Sequence, residues 1–282
     1  MPGTLFVVAT PIGNLEDITA RALRVLREAS IIAAEDTRRT ANLLARYAIM
    51  TPTTSLHEHN EDRKSASIVA RLQRGEHVAL VSDAGTPTIS DPGLRLIRTA
   101  IEAGLRVESI PGPSAPIAAL AASGLAGDTF AFLGFPPTRA KARTEWFERV
   151  MTIRGTIVFF EAPHRIRETL DELQRVAGDC QVAVCRELTK AHEELVRGPI
   201  SEVRTALRSS LGEFTVVAEI GRTTDSIPTT PPEASAVLLE FYQMTNVDKV
   251  SRRAAVTALA KQYQIRPNAV YQLIERAKKS GQ

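Results

Sequence analysis

Short apolar runs alternate with amphipathic stretches along the first 110 residues of the chain. The apolar runs predict strands near residues 4–9, 30–34, 51–55, 77–82 and 105–110. Apolar residues at helical spacing between them predict helices near 18–28, 37–47, 60–74 and 91–103. Because such alternation requires crossover connections, we expect this half to form a mostly parallel sheet covered on both faces.

A second set of strand and helix patterns follows a short alanine-rich helix near 115–122. Its predicted strands lie near 129–134, 155–160, 180–186 and 213–220, and its predicted helices near 138–150, 164–176 and 199–209. The spacing is looser here, which favours a mixed strand order. The sequence therefore predicts an α/β fold with two α/β domains, over residues 1–122 and 123–220.

The last part of the chain differs in composition and charge. Residues 221–232 are rich in Thr and Pro and predict a linker, and helical patterns follow near 233–243, 248–262 and 267–279. The last two resemble a helix–turn–helix within a small C-terminal helical module over 233–282. Residues 248–282 carry eight cations and two anions, whereas the body before them is mildly acidic. We expect the tail to meet a polyanion, with a merely solvated helical surface as the alternative.

The overall composition excludes several classes of protein. Of the 282 residues, 44% are hydrophobic and 24% are charged, which is ordinary for a soluble globular protein. No stretch has the length of a membrane span or the pattern of a signal peptide, so we expect a cytoplasmic protein without membrane partners. Cys180 and Cys185 fit packed thiols better than a disulfide or metal pair. No Cys/His cluster has the spacing of metal ligands, so no metal is expected.

Three loops of small residues carry the candidate chemistry. They follow the predicted strands that end near Val8, Val81 and Ile110. Loops at the carboxyl ends of strands in open α/β sheets are where ligands bind, so the three could converge on one small molecule. The second loop ends in Asp91 and Pro92, which we expect to cap and begin a helix. Neither a Gly-x-Gly-x-x-Gly nor a Gly-Lys-[Ser/Thr] motif is present, which argues against a dinucleotide or triphosphate site.

Several motifs occur together and in order, and they are specific in combination. They are Ala9-Thr10-Pro11-Ile12-Gly13-Asn14, Ala34-Glu35-Asp36-Thr37-Arg38, His57-Glu58-His59-Asn60-Glu61, the run from Ser82 to Gly93, Ile110-Pro111-Gly112-Pro113-Ser114-Ala115, and Phe160-Glu161-Ala162-Pro163-His164-Arg165. In these motifs the chain resembles the ribosomal RNA small subunit methyltransferase I family, which has the tetrapyrrole-methylase fold. The likeness spans about residues 3–220, and the tail is similar to the family's C-terminal helical module.

The resemblance implies a fold, a cofactor and a reaction. It implies S-adenosylmethionine in a cleft between the two domains, usually in a homodimer, and 2′-O-methylation of a cytidine at position 1402 of 16S rRNA, in the decoding region and within the small ribosomal subunit. The cofactor-binding residues that it implies are Pro11, Gly13, Asp83, Gly85, Thr86, Ile89, Ser114, Ala115, Leu133 and Phe160. The wider fold family usually has Gly-x-Gly-Pro-Gly in its first loop, and its absence here counts against a porphyrin substrate.

Four residues are candidates for a base that takes the proton of the ribose hydroxyl. A hydroxyl is a poor nucleophile at neutral pH, so a positioned base should help. Glu161 and His164 flank Pro163 at a strand end and are favoured slightly over Glu35 and Asp36. The alternatives are that Glu161 only binds ribose hydroxyls or caps a helix, and that His164 only contacts RNA.

Cations near the starts of predicted helices suggest RNA contacts. Positive charge at a helix N-terminus opposes the helix dipole, and phosphate binding would offset that cost. The candidates are Arg139, Lys141 and Arg143 in one helix, Arg165 and Arg167 in the next, Arg38 and Arg39 after the second strand, and Arg252, Arg253, Lys261 and Arg266 in the tail. Ordinary surface cations are the alternative. Two other functions stay open, a tetrapyrrole C-methyltransferase and a non-catalytic nucleic-acid-binding protein.

Overall fold

Five parallel strands form the sheet of the first lobe. The structure, a computed structural model, describes residues 1–221, 234–247, 250–263 and 267–280. The strands are β1 (Thr4–Val8), β2 (Ile31–Ala34), β3 (Thr53–Ser55), β4 (Val78–Val81) and β5 (Arg106–Ile110). Their order across the sheet is β3-β2-β4-β1-β5, and every pairing is parallel, as the alternating pattern predicted. The connecting helices are α1 (Ala20–Glu28), α2 (Thr37–Arg46), α3 (Glu61–Gln73) and α4 (Leu94–Glu102).

Helices cover both faces of this sheet. On one face, α1 and α2 bury Leu26 and Leu43 against strand residues such as Ile32. On the other, α3 and α4 bury Leu72 and Leu96. Every residue of β2 and β4 is buried, which explains why these strands appear in the sequence as continuous apolar runs. The carboxyl ends of the strands are left uncovered at one edge, where the three loops begin.

The second lobe contains a sheet of mixed direction. Its strands are β6 (Phe130–Phe132), β7 (Gly155–Glu161), β8 (Gln181–Arg186), β9 (Glu194–Pro199) and β10 (Phe214–Ile220), in the order β6-β7-β10-β8-β9. β6 and β7 are parallel, and the other pairings are antiparallel. β9 was not predicted, because its residues are half-buried or exposed at the sheet edge and include Arg197, Gly198 and Pro199.

Helices α5 (Ala115–Ser123), α6 (Ala140–Thr152), α7 (Ile166–Ala177) and α8 (Ile200–Ala206) complete this part of the chain. Trp146, Phe159 and Leu170 lie in the core beneath α6 and α7. α5 covers the opposite face, where Ala119 packs against Val158, so a helix assigned to the first domain packs on the second sheet. Residues 1–221 consequently form one compact unit. α8 is shorter than its predicted span of 199–209.

The chain divides after Gly221, and the second unit is helical. Its described elements are α9 (Ala234–Tyr242), a π-helical turn (Gln243–Val247), α10 (Arg252–Gln262) and α11 (Pro267–Ser280). Val237, Phe241, Leu259, Val270 and Ile274 form its core. The three predicted helices are present within the described residues, whereas the predicted linker and the turn before Pro267 lie outside them. None of the described helices is long and apolar enough to cross a membrane.

Candidate active site

The three small-residue loops meet at the carboxyl edge of the first sheet. Thr10 and Gly85 exchange backbone hydrogen bonds of 2.8 and 3.0 Å, which join the first loop to the second. The hydroxyl of Thr86 donates to the carbonyl of Pro113 at 3.1 Å, which joins the second loop to the third. The convergence expected from the strand–loop–helix pattern is therefore present.

A cavity of about 330 Å³ opens between these loops and the second lobe. Most of the cofactor-binding residues expected from the resemblance line it: Asp83, Gly85, Thr86, Ile89, Ser114, Ala115 and Phe160. Pro11 and Gly13 instead line an adjoining cavity of about 230 Å³. Ile12 and Arg39 contribute to both cavities, which therefore share a wall. Leu133 packs against the core of the second lobe and is absent from both linings.

Gly13 lies where the two lobes touch. A Cβ atom there would come within 2.5 Å of Lys190 Cγ and 2.7 Å of Thr189 Oγ1. The next amide, that of Asn14, donates to Thr189 Oγ1 at 2.9 Å. The first loop thus contacts the loop after β8 closely enough that a side chain at Gly13 would require the neighbouring residues to move.

The second lobe contributes residues that sequence reasoning missed. Phe214 and Thr215 line the cavity, together with Cys185 and Leu188. β10 runs antiparallel to β7, and Thr215 pairs with Phe160, so the amino end of β10 lies at the same edge as the carboxyl end of β7. The expected ligand-binding loops all follow the carboxyl ends of strands, whereas Phe214 and Thr215 lie at the amino end of β10. A mixed order was expected in this half, but the sequence did not indicate that β10 runs antiparallel to β7. The Cys185 thiol is buried, which raises its pKa to about 12.

Carboxyl groups from two loops form an acidic cluster on the cavity wall. Glu35 follows β2, whereas Asp83 and Asp91 follow β4, and all three line the cavity. The amide of Asp83 donates to Glu35 Oε2 at 3.3 Å, and Asp83 Oδ2 lies 3.3 Å from Arg39 Nη1. Burial raises the pKa of Glu35, against the hydrogen bond from the Asp83 amide, which lowers it. Burial also raises the pKa of Asp91 to about 6, against a hydrogen bond from Ser82.

The position of Asp91 corrects the prediction that it caps a helix. α4 begins at Leu94, and Gly93, at a φ of +120°, occupies the N-cap position without a side-chain bond. The amides of Arg95 and Leu96 donate instead to Glu61 Oε1 of α3, at 2.8 and 3.1 Å. Because another residue satisfies the helix N-terminus, the Asp91 carboxyl is free to line the cavity. Asp91 is the acidic residue that the sequence analysis missed as a site candidate.

Asp36, a candidate base, has a structural role. Its side chain accepts a hydrogen bond of 2.8 Å from the Arg38 amide and caps α2. The Arg38 guanidinium also bonds to it and lowers the pKa of Asp36 to about 2. A carboxylate held in its charged form by these bonds is a weak proton acceptor, which argues against Asp36 as the base.

Glu161 is also engaged by protein groups. Its side chain has 0% exposure and lies 2.7 Å from Arg165 Nη2 and 3.8 Å from Arg143 Nη1, and the Thr169 hydroxyl also donates to it. Arg143 in turn lies 2.5 Å from Glu172. A carboxylate enclosed by two cations cannot reach a substrate hydroxyl, so Glu161 is not the base. We call Glu161, Arg143, Arg165, Thr169 and Glu172 the buried ion network.

The same network corrects two of the proposed RNA contacts. Arg143 is 10% exposed and Arg165 13% exposed, and both guanidinium groups face Glu161 rather than solvent. Arg167 donates to the carbonyls of Arg204 and Leu207, both at 2.9 Å, and so anchors the end of α8. Carboxylates and carbonyls of the protein, rather than phosphates, therefore offset the unfavourable free energy of placing these cations near the N-terminus of a helix dipole.

The remaining candidate cations are exposed wherever the structure describes them. Arg38, Arg39, Arg139 and Lys141 are exposed on the first unit, and Arg252 and Arg253 on the second. Arg39 lies beside the acidic cluster. His164 is exposed on the turn between β7 and α7. The side chain of Lys261 and the whole of Arg266 lie outside the described residues. Among the described residues, no cluster of His, Cys, Asp and Glu could hold a metal ion.

Comparison with known proteins identifies the fold family. The family model of the Tetrapyrrole (Corrin/Porphyrin) Methylases matches residues 4–204. The chain belongs to the tetrapyrrole methylase family. It is a methyltransferase, and residues from both of its sheet-containing lobes line the cavity. A solved diphthine synthase covers 77% of this chain and 90% of its own at a TM-score of 0.60 and 15% identity.

Relatives with higher identity carry one shared name, "Ribosomal RNA small subunit methyltransferase I". The protein from Halalkalibacterium halodurans is 47% identical over 77% of this chain and 76% of its own. The protein from Pasteurella multocida is 40% identical over 96% of both chains, and its match therefore includes the helical C-terminal unit. Among solved structures, a uroporphyrin-III C-methyltransferase from Thermus thermophilus in complex with S-adenyl homocysteine has a TM-score of 0.55 and 17% identity.

Proposed function

We propose that this protein methylates the 2′-oxygen of a cytidine ribose in 16S rRNA, at position 1402 in the decoding region. The observation that carries the proposal is the 40% identity, over 96% of both chains, to a relative named for methylation of small-subunit ribosomal RNA. That match includes the basic C-terminal unit, which a porphyrin methylase has no evident need of. The substrate is the RNA within the small ribosomal subunit, the enzyme is cytoplasmic, and it acts as a homodimer.

The methyl donor is S-adenosylmethionine, and the residues of the cavity fit it. Backbone amides and hydroxyls around Gly85, Thr86 and Ser114 suit its amino acid and ribose groups, whereas Ile89 and Phe160 offer apolar contact to its adenine. The volume of about 330 Å³ is within the range of small-molecule sites. When bound, this cofactor supplies a methyl group already activated by a sulfonium. The protein therefore has to hold that carbon in line with the incoming oxygen and exclude water.

Glu35 and Asp91 are the groups placed to take the proton of the ribose hydroxyl. Both carboxyls line the cavity, and burial raises the pKa of each. A carboxylate of higher pKa is a stronger base, and a pKa near the working pH favours proton transfer. As the 2′-oxygen takes the methyl group and the carbon–sulfur bond of the donor breaks, either carboxylate would accept the proton of that oxygen and release it to water afterwards. Asp83, bonded to Arg39 and to the Asp36 amide, orients this cluster.

The exposed cations supply the RNA surface of the proposed enzyme. Arg39 lines the cavity. Arg38, Arg139 and Lys141 are exposed on the first unit and Arg252 and Arg253 on the second, and the exposed His164 is a further candidate contact. Lys261 and Arg266 stay predictions from the sequence. Each phosphate that these cations neutralise should steepen the salt dependence of binding, by about 0.7–0.9 in the logarithmic slope. The target nucleotide has to be unstacked to present its 2′-oxygen, as single-stranded regions of RNA allow.

Mass spectrometry of 16S rRNA from cells with and without the gene tests the proposal. Deletion should remove one methyl group from the ribose of a single cytidine, and the wild-type gene should restore it. The variant Asp91→Asn should fail to restore it, whereas Asp128→Asn, at an exposed loop position, should succeed. An unchanged rRNA, or a lost methyl on a base rather than a ribose, would refute the proposal. Methylation of uroporphyrinogen III by the purified protein would favour the porphyrin alternative.

A further inference from the structure

Phe135 is a large aromatic side chain left half in solvent on the cavity wall. It is 52% exposed and lines the cavity just after β6. One part of its ring packs on Phe160, with centroids 5.2 Å apart, and Phe160 packs edge-on against Phe132 at 5.0 Å. The rest of the ring is open. An aromatic ring that packs against the protein on one side and is exposed to solvent on the other can stack with a second aromatic ring.

The turn that carries Phe135 is held by the buried ion network. Phe135 is followed by Pro136 and Pro137, which restrict the backbone. Arg165 Nη1 donates to the carbonyl of Pro136 at 3.1 Å, and Arg143 Nη1 donates to that of Pro137 at 3.5 Å. These two arginines are fixed by Glu161. The buried ion network thus fixes the position of the Phe135 ring before any ligand binds.

The turn also lies directly beside the acidic cluster. Gly134, which precedes Phe135, has a φ of +62°, and a Cβ atom there would lie 3.6 Å from Ser90 Oγ. Ser90 is adjacent to Asp91, whose carboxyl lines the same cavity. A planar group stacked on Phe135 would therefore lie in the cavity that Glu35 and Asp91 also line.

We propose that Phe135 is the stacking platform for the base of the nucleotide whose ribose is methylated. The inference rests on the proposed function and extends it to the substrate's binding site. An unstacked base loses its neighbours in RNA, and an aromatic side chain replaces them regardless of base identity. Truncation of a stacking side chain weakens nucleic-acid binding by about 5- to 150-fold. The cofactor has a different aromatic neighbour in Phe160, between Phe135 and the core.

Methyl transfer to small ribosomal subunits from cells that lack the gene provides the first test. Phe135→Ala should raise the KM for subunits by about 5- to 150-fold, and Phe135→Trp should restore it, because any aromatic ring can stack. The matched control is Phe130→Ala. Phe130 is on β6, the strand just before Phe135, and is 37% exposed, but it lies at the amino end of β6 and does not line the cavity. That variant should leave the KM unchanged.

Two binding measurements give readouts other than activity. Calorimetry with S-adenosylhomocysteine should give the same Kd for wild type and Phe135→Ala, since the ring is assigned to the RNA. In Phe135→Trp, the emission of the new indole should be quenched by 16S rRNA fragments that contain the target, as stacking brings a base onto it. The chain's only native tryptophan, Trp146, is 5% exposed in the core and provides a constant background. Phe130→Trp should show no quenching.

Each result separates the two proposals. A wild-type protein that transfers no methyl group to any rRNA would overturn the proposed function. An active wild type with an unchanged KM in Phe135→Ala would overturn the stacking role alone. A weaker Kd for S-adenosylhomocysteine in Phe135→Ala, with no quenching by RNA in Phe135→Trp, would assign the ring to the cofactor instead.

Discussion

Replacement of Asp91 by Asn should stabilise the protein at neutral pH while it abolishes methyl transfer. Burial raises the pKa of this carboxyl from 3.8 to about 6, with Glu35 and Asp83 adding to the effect. A carboxyl with a raised pKa in the folded state binds protons more tightly when folded. Its stabilising contribution is therefore greatest at low pH, is lost as pH rises between about 4 and 6, and becomes a constant penalty above that range.

The size of the penalty follows from the pKa difference. A rise from 3.8 to about 6 corresponds to at most about 3 kcal/mol. Asp91 keeps contact with solvent, which screens its charge, so we expect about 1–2 kcal/mol at pH 7.5. Asparagine has the same shape but no charge, and it removes this penalty. At pH 4, where the wild-type carboxyl is itself protonated, the two proteins should be about equally stable.

Urea unfolding followed by Trp146 fluorescence measures this difference in the unit that contains the site. At pH 7.5 the midpoint of Asp91→Asn should exceed that of wild type by about 0.5–1 M, given typical urea slopes. The gain should shrink steadily toward pH 4. Asp128→Asn, at an exposed position, should show no such trend. A destabilised Asp91→Asn, or a gain of equal size at both pH values, would show that the reasoning about this carboxyl is wrong.

Two further substitutions test the scaffold around the site. Glu161→Gln should destabilise the first unit by about 3–5 kcal/mol, because it leaves Arg165 buried without a counter-ion and Arg143 paired with Glu172 alone. A urea midpoint equal to that of wild type would contradict the buried ion network. Gly13→Ala should weaken binding of S-adenosylhomocysteine in calorimetry, since its methyl group would come within 2.5 Å of Lys190 Cγ and push the loops apart. The control for the loss of a glycine is Gly127→Ala, where the new Cβ would make only an ordinary contact of 3.7 Å with Leu120. Equal Kd values for the two variants would argue against the contact at Gly13.

The parts of the site that could be predicted are those governed by local sequence. The loops after β1, β4 and β5 each follow an apolar strand, and parallel strands bring their carboxyl ends to one edge. The convergence of Thr10, Gly85 and Pro113 therefore needed only the strand pattern. Phe214 and Thr215 needed more, because their place in the cavity depends on the direction of β10 within a mixed sheet. No local sequence pattern around Phe214 and Thr215 indicates whether the neighbouring strands run parallel or antiparallel to β10.

Asp91 shows how a local rule can fail through a distant residue. Aspartate followed by proline is a strong helix-start signal, and it predicted a cap. Glu61 lies in a different helix, yet it accepts the hydrogen bonds of the Arg95 and Leu96 amides. Because Glu61 already accepts the hydrogen bonds of these amides, Asp91 is not needed as the N-cap of α4. The signal was correct about where the helix begins to within a few residues, but not about what the carboxyl does.

The arginines lead to a more general conclusion about charge patterns. Cations near the start of a helix oppose its dipole, and we argued that something had to compensate them. For Arg143 the compensation is Glu161 and Glu172, and for Arg165 it is Glu161. Either a phosphate or a buried carboxylate can pair with an arginine guanidinium, so the sequence alone cannot show which of the two compensates a given arginine. Burial can: an arginine with 10% exposure is already paired within the protein, and only exposed cations such as Arg139 remain available for RNA.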